Sequence, residues 1–197
     1  TVGICDSLPK MVAHRLLMPI IKIKNLKLTC YEGQLDDLLG DLALHRLDVV
    51  LSDRPAPVNP NIKLYSHRIG SSTLAWYATR DMLATASEDF PYSLATVPVL
   101  LPTSHAAVRA RLDHWFEQLG VRPRIVGEFE DSALLKTFGA SGMGVFPAAE
   151  WAHEDFLAHE AVQRLGTCEG VTDHFFAIGT ERKVQHPLVQ LILQAAL

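Results

Sequence analysis

The chain has 197 residues, of which 48% are hydrophobic and 20% charged, and its formal net charge is −4. This composition is typical of a globular chain, and without a basic stripe it argues against direct nucleic-acid binding by this segment. The length allows one large domain or two small lobes. No apolar run reaches the roughly 18 residues needed to cross a membrane, so no membrane partner is expected.

The three cysteines, Cys5, Cys30 and Cys168, lack CxxC spacing, which argues against a disulfide framework and a zinc site. We therefore expect a reduced, cytoplasmic setting. The chain starts with Thr1 instead of Met, directly at a predicted strand, and we expect a fragment or a processed product.

The first part of the chain alternates strands and helices. Strands are predicted at 1–5, 26–31 and 48–51, with amphipathic helices at 8–23 and 35–47 between them. Asp6 and Ser7 are predicted to cap the first helix, and Pro19 to kink or break it. This βαβαβ order predicts a parallel sheet with right-handed crossovers, which forms a first lobe.

A second βαβαβ unit follows a connecting region. Residues 54–61 are a proline-rich loop, 62–69 and 73–79 are predicted strands, and 80–92 are irregular with a helical turn at 82–85. The unit itself has strands at 97–101, 124–129 and 145–146. Its helices begin near His105, where Thr103 or Ser104 can cap, and at the Asp131-Ser132 pair. The first of these helices is predicted to stop at Gly120.

The remaining residues suggest a return to the first lobe. A short helix is predicted at 148–156, strands at 162–165 and 174–179, and a terminal helix from Pro187. We predict that residues 1–76 plus 174–197 form the first lobe and residues 77–173 the second.

Polar residues follow two neighbouring strands of the second lobe. Thr103 and Ser104 come after one strand, and Glu128, Phe129 and Asp131 end the next. Parallel sheets bind ligands outside the carboxyl ends of their strands, so this edge is the predicted site. No nucleophile with its base is legible and nine histidines show no ligand spacing, which favours binding over catalysis and predicts neither a metal nor a cofactor.

Several segments carry a family likeness that covers essentially the whole chain. VGICDSLP, the LxxxL helix leading into HRLDVVLSD, PRIVGEF and GMGVFP resemble the effector-binding domain of LysR-type transcriptional regulators. More narrowly, LLPTSHAAVRARLDHWFEQLG, IVGEFEDSALLKTFGA and ERKVQHPLVQ are similar to the NhaR group, activators of sodium/proton antiporter genes.

The resemblance implies an α/β fold of two Rossmann-like lobes joined by two crossing strands, similar to type II periplasmic binding proteins. It also implies a small effector between the lobes, a homodimer or tetramer, and DNA binding only through an N-terminal winged helix-turn-helix that this segment lacks. In the dimer, residues 8–21 would lie against the partner's second lobe. The implied effector-binding residues are Asp6, Ser7, Ser52, Asp53, Thr103, Ser104, Glu128, Phe129 and Asp131.

The chemistry of these residues predicts what is sensed. They are mostly hydroxyls and acids with no arginine or lysine assigned to face them, which suits a hard cation better than an organic anion. The resemblance implies a response to sodium, with Asp6 and Glu128 as candidate ligands, and His105 could add a response to pH. The alternative is that the hydroxyls only cap helices. A solute-binding protein of a transport system is the alternative function.

Overall fold

The structure, a computed structural model, describes residues 1–152, 161–181 and 185–195. The chain divides into two compact units, Thr1–Ser71 with His174–Leu197 and Ser72–Asp173. The first segment of unit one ends at Ser71, five residues before the boundary predicted after Trp76. Both positions lie on one continuous strand, Tyr65–Thr79, so no loop marks the boundary in the sequence.

The first unit contains a parallel three-stranded arrangement with helices between its strands. β1 (Val2–Cys5) lies between β2 (Cys30–Gly33) and β3 (Val49–Ser52), both of which are parallel to it. The prediction of a strand at 26–31 was wrong for residues 26–29. β2 starts at Cys30 because this residue pairs with Val2, the first residue of β1. α2 (Leu35–Ala43) connects β2 to β3 and buries one leucine face.

α1 (Lys10–Ile21) connects β1 to β2 and buries Val12, Leu16 and Ile20. It packs against the terminal helix α6 (Pro187–Gln194), which belongs to the same unit. The helix continues past Pro19 to Ile21, so the predicted break was wrong; Pro19 lies near its end. Pro9 is the N-cap and no side chain caps the helix, so the predicted cap at Asp6-Ser7 was also wrong.

Two long strands run through both units. β4 (Tyr65–Thr79) merges the predicted strands at 62–69 and 73–79, and β8 (Val162–Gly179) merges those at 162–165 and 174–179. β8 pairs antiparallel with β3 in the first unit, with Leu51 opposite Ala177. The expected two crossing strands are thus confirmed, but each is one continuous strand.

The second unit contains the predicted strand–helix–strand–helix order. β5 (Pro98–Pro102), α4 (Ala107–Leu119), β6 (Arg124–Phe129) and α5 (Ser132–Ala140) follow one another, and β5 is parallel to β6. α4 ends at Gly120, whose φ of 66° is the left-handed conformation that glycine adopts without strain. α3 (Arg80–Ser87) is a full helix where only a turn was expected.

The third strand of this unit differs from the prediction. Val145 forms a parallel bridge to Val99, and its backbone bonds to Pro98 and Leu100. β7 (Phe146–Ala149) then pairs antiparallel with β4. A short 3-10 helix, Glu150–Ala152, follows; the rest of the helix predicted at 148–156 lies outside the described residues.

The core of the second unit is aromatic. Trp76 is fully buried, with its ring centroid 6.0 Å from Trp115 and 5.7 Å from Phe116. Burial of such large rings is a main source of stability for a unit of this size. Trp76 is therefore a reporter of packing inside the second unit.

Within the described ranges, no helix is long and apolar enough to span a membrane.

Candidate functional site

The carboxyl ends of β5 and β6 bring the predicted second-lobe residues together. Pro102 lies opposite Phe129, and the Thr103 amide donates to the Phe129 carbonyl at 3.0 Å. Thr103 and Ser104 therefore leave the sheet beside Glu128 and Phe129. The predicted proximity of these residues is confirmed, because parallel register aligns the ends of neighbouring strands.

The hydroxyls at this edge do not cap α4. The N-cap of α4 is Ala106, without a side-chain cap bond. Thr103 Oγ1 is buried and makes no hydrogen bond to any residue that the structure describes. Capping therefore does not explain Thr103 and Ser104, and a buried hydroxyl without a partner carries a free-energy cost that a ligand would remove.

Asp131 does cap a helix, as the sequence predicted. Its Oδ1 accepts from the Leu134 amide at 2.7 Å at the start of α5. This bond satisfies one of the unpaired amides of the first helical turn and fixes the carboxylate.

Basic side chains face the acids of this edge, and the expectation that none would do so was wrong. Arg109 donates from Nη1 to Glu128 Oε1 and to the Pro102 carbonyl, and from Nε to Asp113 at 2.9 Å. Burial acts to lower the pKa of Arg109, but the hydrogen bonds to Asp113 and Glu128 raise it above its ordinary value. His105 Nε2 lies 3.2 Å from Glu130, so both glutamates have a partner from the α4 side.

The sequence did not identify Arg109 because it lies off the apolar stripe of α4, where arginines are normally solvated. Only 16% of its side chain is exposed. The sequence indicates one contact of Arg109, the i, i+4 pair with Asp113 on the helix surface. This spacing does not predict the contact with Glu128.

The carboxyl edge of the first unit contains a second acid–base group. The Asp6 amide donates to the Gly33 carbonyl at 3.1 Å, and Ser7 Oγ lies 3.2 Å from Cys5 Sγ. Asp6 and Glu32 each offer a carboxylate oxygen, within 4.8 Å of one another. Glu32 was missed because its position next to a glycine suggested a turn, whereas it lies on β2 beside β1.

A lysine balances this pair of carboxylates. Lys10 Nζ lies 2.9 Å from Glu32 Oε2, at the first residue of α1. The Cys5 thiol beside them is buried, which raises its pKa above the ordinary value of 9.0 and keeps it protonated near neutral pH.

Ser52 and Asp53 are enclosed in the first unit, at 0% and 2% exposure. Ser52 Oγ accepts from the Arg54 amide at 3.2 Å, and Asp53 Oδ1 lies 3.6 Å from Arg54 Nε. These contacts hold the start of the proline-rich loop, which is a structural role for both residues.

Two α/β units joined by two strands, each with polar groups at the carboxyl ends of parallel strands, define a ligand-binding domain of the type II periplasmic-binding-protein class. The LysR substrate binding domain family matches residues 7–197, and the chain belongs to this family.

Two curated relatives are transcriptional activators. The protein NhaR of Escherichia coli (strain K12) is 33% identical over 192 residues, which cover 97% of this chain and 63% of the relative. The same figures hold for NhaR of Shigella flexneri. The chain therefore spans less than two thirds of the length of these relatives.

Solved structures share the fold. The cofactor-binding domain of the Cbl transcriptional regulator has a TM-score of 0.80 at 18% identity, covering 99% of this chain and 86% of that one. CbnR, a LysR family transcriptional regulator, has a TM-score of 0.76 at 16% identity, covering 100% of this chain and 69% of its own. At these identities the likeness establishes the architecture, and the expected fold class is confirmed.

Proposed function

We propose that this chain is the effector-sensing and oligomerising domain of a LysR-type transcriptional activator that responds to sodium and pH and controls a sodium/proton antiporter gene. The observation that carries the proposal is the 33% identity to NhaR over 97% of the chain, together with the resemblance of its motifs to the NhaR group. The regulator acts in the cytoplasm and binds DNA through a winged helix-turn-helix outside this segment.

The effector groups are the polar residues at the carboxyl edges of the two lobes. Support comes from Thr103, whose buried Oγ1 has no hydrogen bond to the described residues, and from Ser104, which does not cap α4. The full proposed set is Asp6, Ser7, Ser52, Asp53, Thr103, Ser104, Glu128, Phe129 and Asp131. Ser52 and Asp53 act by holding the loop that begins at Arg54.

A sodium ion would bind to oxygen ligands, with Asp6 and Glu128 as the charged ones. Glu128 Oε1 already accepts from Arg109, so the ion would use Oε2 or displace the guanidinium. Binding of the ion is then coupled to the position of Arg109, because both compete for one carboxylate.

The pH response would arise at His105. Its Nε2 lies 3.2 Å from Glu130, and the contact is an ion pair only when the imidazole is protonated.

The same domain would form a homodimer, and through it a tetramer. α1 buries one face, while Met18 and Ile21 on another are 39% and 38% exposed. Exposed apolar side chains on a second face of a helix indicate a surface that another chain buries. A two-fold symmetric dimer would bury it. Sedimentation should show a dimer that Met18→Glu dissociates and Lys22→Glu does not; a wild-type monomer at micromolar concentration would contradict the dimer.

A solute-binding protein of a transport system, the alternative from the sequence, is not favoured. The relatives are named as transcriptional activators and not as transport proteins or enzymes. The sequence upstream of this segment would distinguish the two functions. A helix-turn-helix there would indicate a transcriptional regulator, and a leader peptide would indicate a solute-binding protein.

The experiment compares sodium chloride with potassium chloride at fixed ionic strength, with thermal unfolding as the readout. Screening treats the two ions alike, whereas a site does not. A sodium concentration of about ten times Kd should raise Tm by roughly 3 °C. Asp6→Asn and Glu128→Gln should remove this shift, and Glu88→Gln, an exposed acid outside the site, should keep it. Identical curves for both ions would exclude a sodium site.

A further inference from the structure

Arg111 contacts a crossing strand at the boundary between the units. Its Nη1 donates to the Thr172 carbonyl at 2.8 Å and lies 3.9 Å from Asp173 Oδ1. Thr172 and Asp173 are the last residues of β8 in the second unit, which ends at Asp173. The Asp173 side chain is only 7% exposed, so its carboxylate depends on nearby donors.

Arg111 shares α4 with the residues that contact the candidate effector edge. Arg109, two positions earlier, binds Glu128 and the Pro102 carbonyl. Residues two apart on a helix point in different directions, so α4 contacts the effector edge with one arginine and β8 with the other. A shift or rotation of this helix at one contact must change the other, because a helix moves as a stiff body.

The contact between Arg111 and β8 is able to change. The Arg111 side chain is 37% exposed, and a pocket of about 300 Å³, lined by Arg111, Trp115, Gly170 and Val171 among others, lies beside it. The guanidinium therefore has room to leave Asp173 without displacing the core. A salt bridge that borders open space is the kind of element that an effector can bias.

The polar contacts of the other crossing strand, near the same boundary, come from residues outside α4. Ser72 Oγ accepts from the Trp151 amide at 3.1 Å, and Thr73 donates to Glu150, which also accepts from Arg164 at 2.9 Å. None of these four side chains belongs to α4. α4 also contacts β4, where the rings of Trp115 and Phe116 pack on Trp76 in the core. Its contact with β8 is polar, because Arg111 donates to the Thr172 carbonyl.

We infer that Arg111 is the positioning residue that passes a change at the effector edge, through α4, to the crossing segment of β8. The inference rests on the proposed function for the identity of that edge. It does not require the effector to be sodium, since any group that alters the contact between Arg109 and Glu128 would act on the same helix.

Amide hydrogen exchange of residues 171–175 tests the coupling without a ligand. Glu128→Gln weakens the contact at the effector edge and should raise exchange of this segment about fivefold in the wild-type chain. In the Arg111→Lys background, which keeps the charge but loses the fork geometry of the guanidinium, the same change should have less than about a twofold effect. Exchange of β7, which pairs with β4 and has no contact with Glu128 or Arg109 among the described residues, serves as the internal reference, because a global loss of stability would raise both segments.

Arg124→Lys is the matched control, since Arg124 Nη1 also donates to a backbone carbonyl, that of Thr96, at 3.2 Å. Glu128→Gln should act in this background as it does in the wild type. If Arg111→Lys folds poorly, Asp173→Asn provides a second way to weaken the same contact. An equal effect of Glu128→Gln in every background, or no effect on residues 171–175 in the wild type, would overturn the inference.

A separate arm adds sodium chloride or potassium chloride to the wild-type chain. A sodium-specific change at residues 171–175 that Arg111→Lys removes supports both proposals. An absent sodium response alongside an intact response to Glu128→Gln would reject sodium as the effector and leave the role of Arg111 standing.

Discussion

Arg109 donates to Glu128 across the ends of two neighbouring strands, and the same guanidinium nitrogen donates to the Pro102 carbonyl. At the carboxyl edge of the second unit, the positive charge of Arg109 therefore compensates the negative charge of Glu128. A ligand that binds there meets a carboxylate with one oxygen engaged and an arginine that is mostly buried.

Loss of Arg109 should cost more stability than loss of the Glu128 charge. Arg109→Met removes donors from Pro102, Asp113 and Glu128 and should lower the free energy of unfolding by about 1–3 kcal/mol. Glu128 is 47% exposed, so Glu128→Gln should cost less than about 1 kcal/mol, and less still in 1 M potassium chloride. Urea unfolding measures both; equal losses would show that the Pro102 bond contributes little.

Thr103→Val should leave the ligand-free chain as stable as the wild type or stabilise it by up to about 1 kcal/mol. The substitution replaces a buried hydroxyl that has no hydrogen bond within the described chain. Ser93→Ala is the contrasting variant, because Ser93 Oγ is buried and donates to the Ala86 carbonyl at 2.6 Å; it should cost about 1–2 kcal/mol.

The same two variants distinguish binding from stability. Thr103→Val should abolish the sodium-specific rise in Tm, and Ser93→Ala should lower Tm in both salts while preserving the difference between them. A Thr103→Val chain that is clearly destabilised would indicate that the hydroxyl has a structural partner.

Two helix glycines should respond in opposite ways to alanine. A Cβ on Gly139 in α5 would lie 2.1 Å from Phe146 Cδ1, and Phe146 is fully buried, so Gly139→Ala should destabilise by about 1–3 kcal/mol. A Cβ on Gly40 in α2 would have no atom of the described residues outside its own helix within 4 Å, so Gly40→Ala should stabilise by about 0.5–1 kcal/mol. Chemical denaturation of both variants measures the two signs; a neutral Gly139→Ala would mean that the Phe146 ring can move aside.

Alkaline pH should destabilise the second unit through Cys168. Burial raises the pKa of this thiol from 9.0 to about 12, and the neighbouring Trp76 indole acts weakly in the opposite direction. Above pH 9 the thiol ionises in the unfolded chain while the folded chain keeps its proton. The stability contribution is therefore full below pH 9 and is lost as pH rises toward 12, with a slope of up to about 1.4 kcal/mol per pH unit.

Cys168→Ala should flatten this alkaline slope, measured by urea unfolding at a series of pH values. Cys30→Ala is the control, because Cys30 is exposed and burial raises the pKa of its thiol less far. Tyr77, whose pKa burial raises from 10.0 to about 12, leaves a residual slope in both variants. Equal slopes in the wild type and Cys168→Ala would show that the folded thiol ionises at its ordinary pKa.

The sequence by itself determined the order of strands and helices in each unit and the edge at which the polar residues collect. Both follow from local pattern: apolar periodicity distinguishes β5 and β6 from α4 and α5, and parallel register then places Thr103 beside Phe129. The Asp131 cap could also be predicted from the sequence, because an N-cap side chain bonds to an amide only three residues further along the chain.

Tertiary structure alone decided which charges meet and how the long strands run. Arg109 and Arg111 look alike in the sequence, yet one faces Glu128 and the other Thr172, because the contacts depend on elements distant in the chain. β4 and β8 are continuous and β7 is antiparallel to β4, since pairing partners and not local propensity fix the length and direction of a strand. The Thr103 hydroxyl, buried without a hydrogen-bond partner in the described ranges, could be found only in the fold, because burial and bonding are properties of the packed chain.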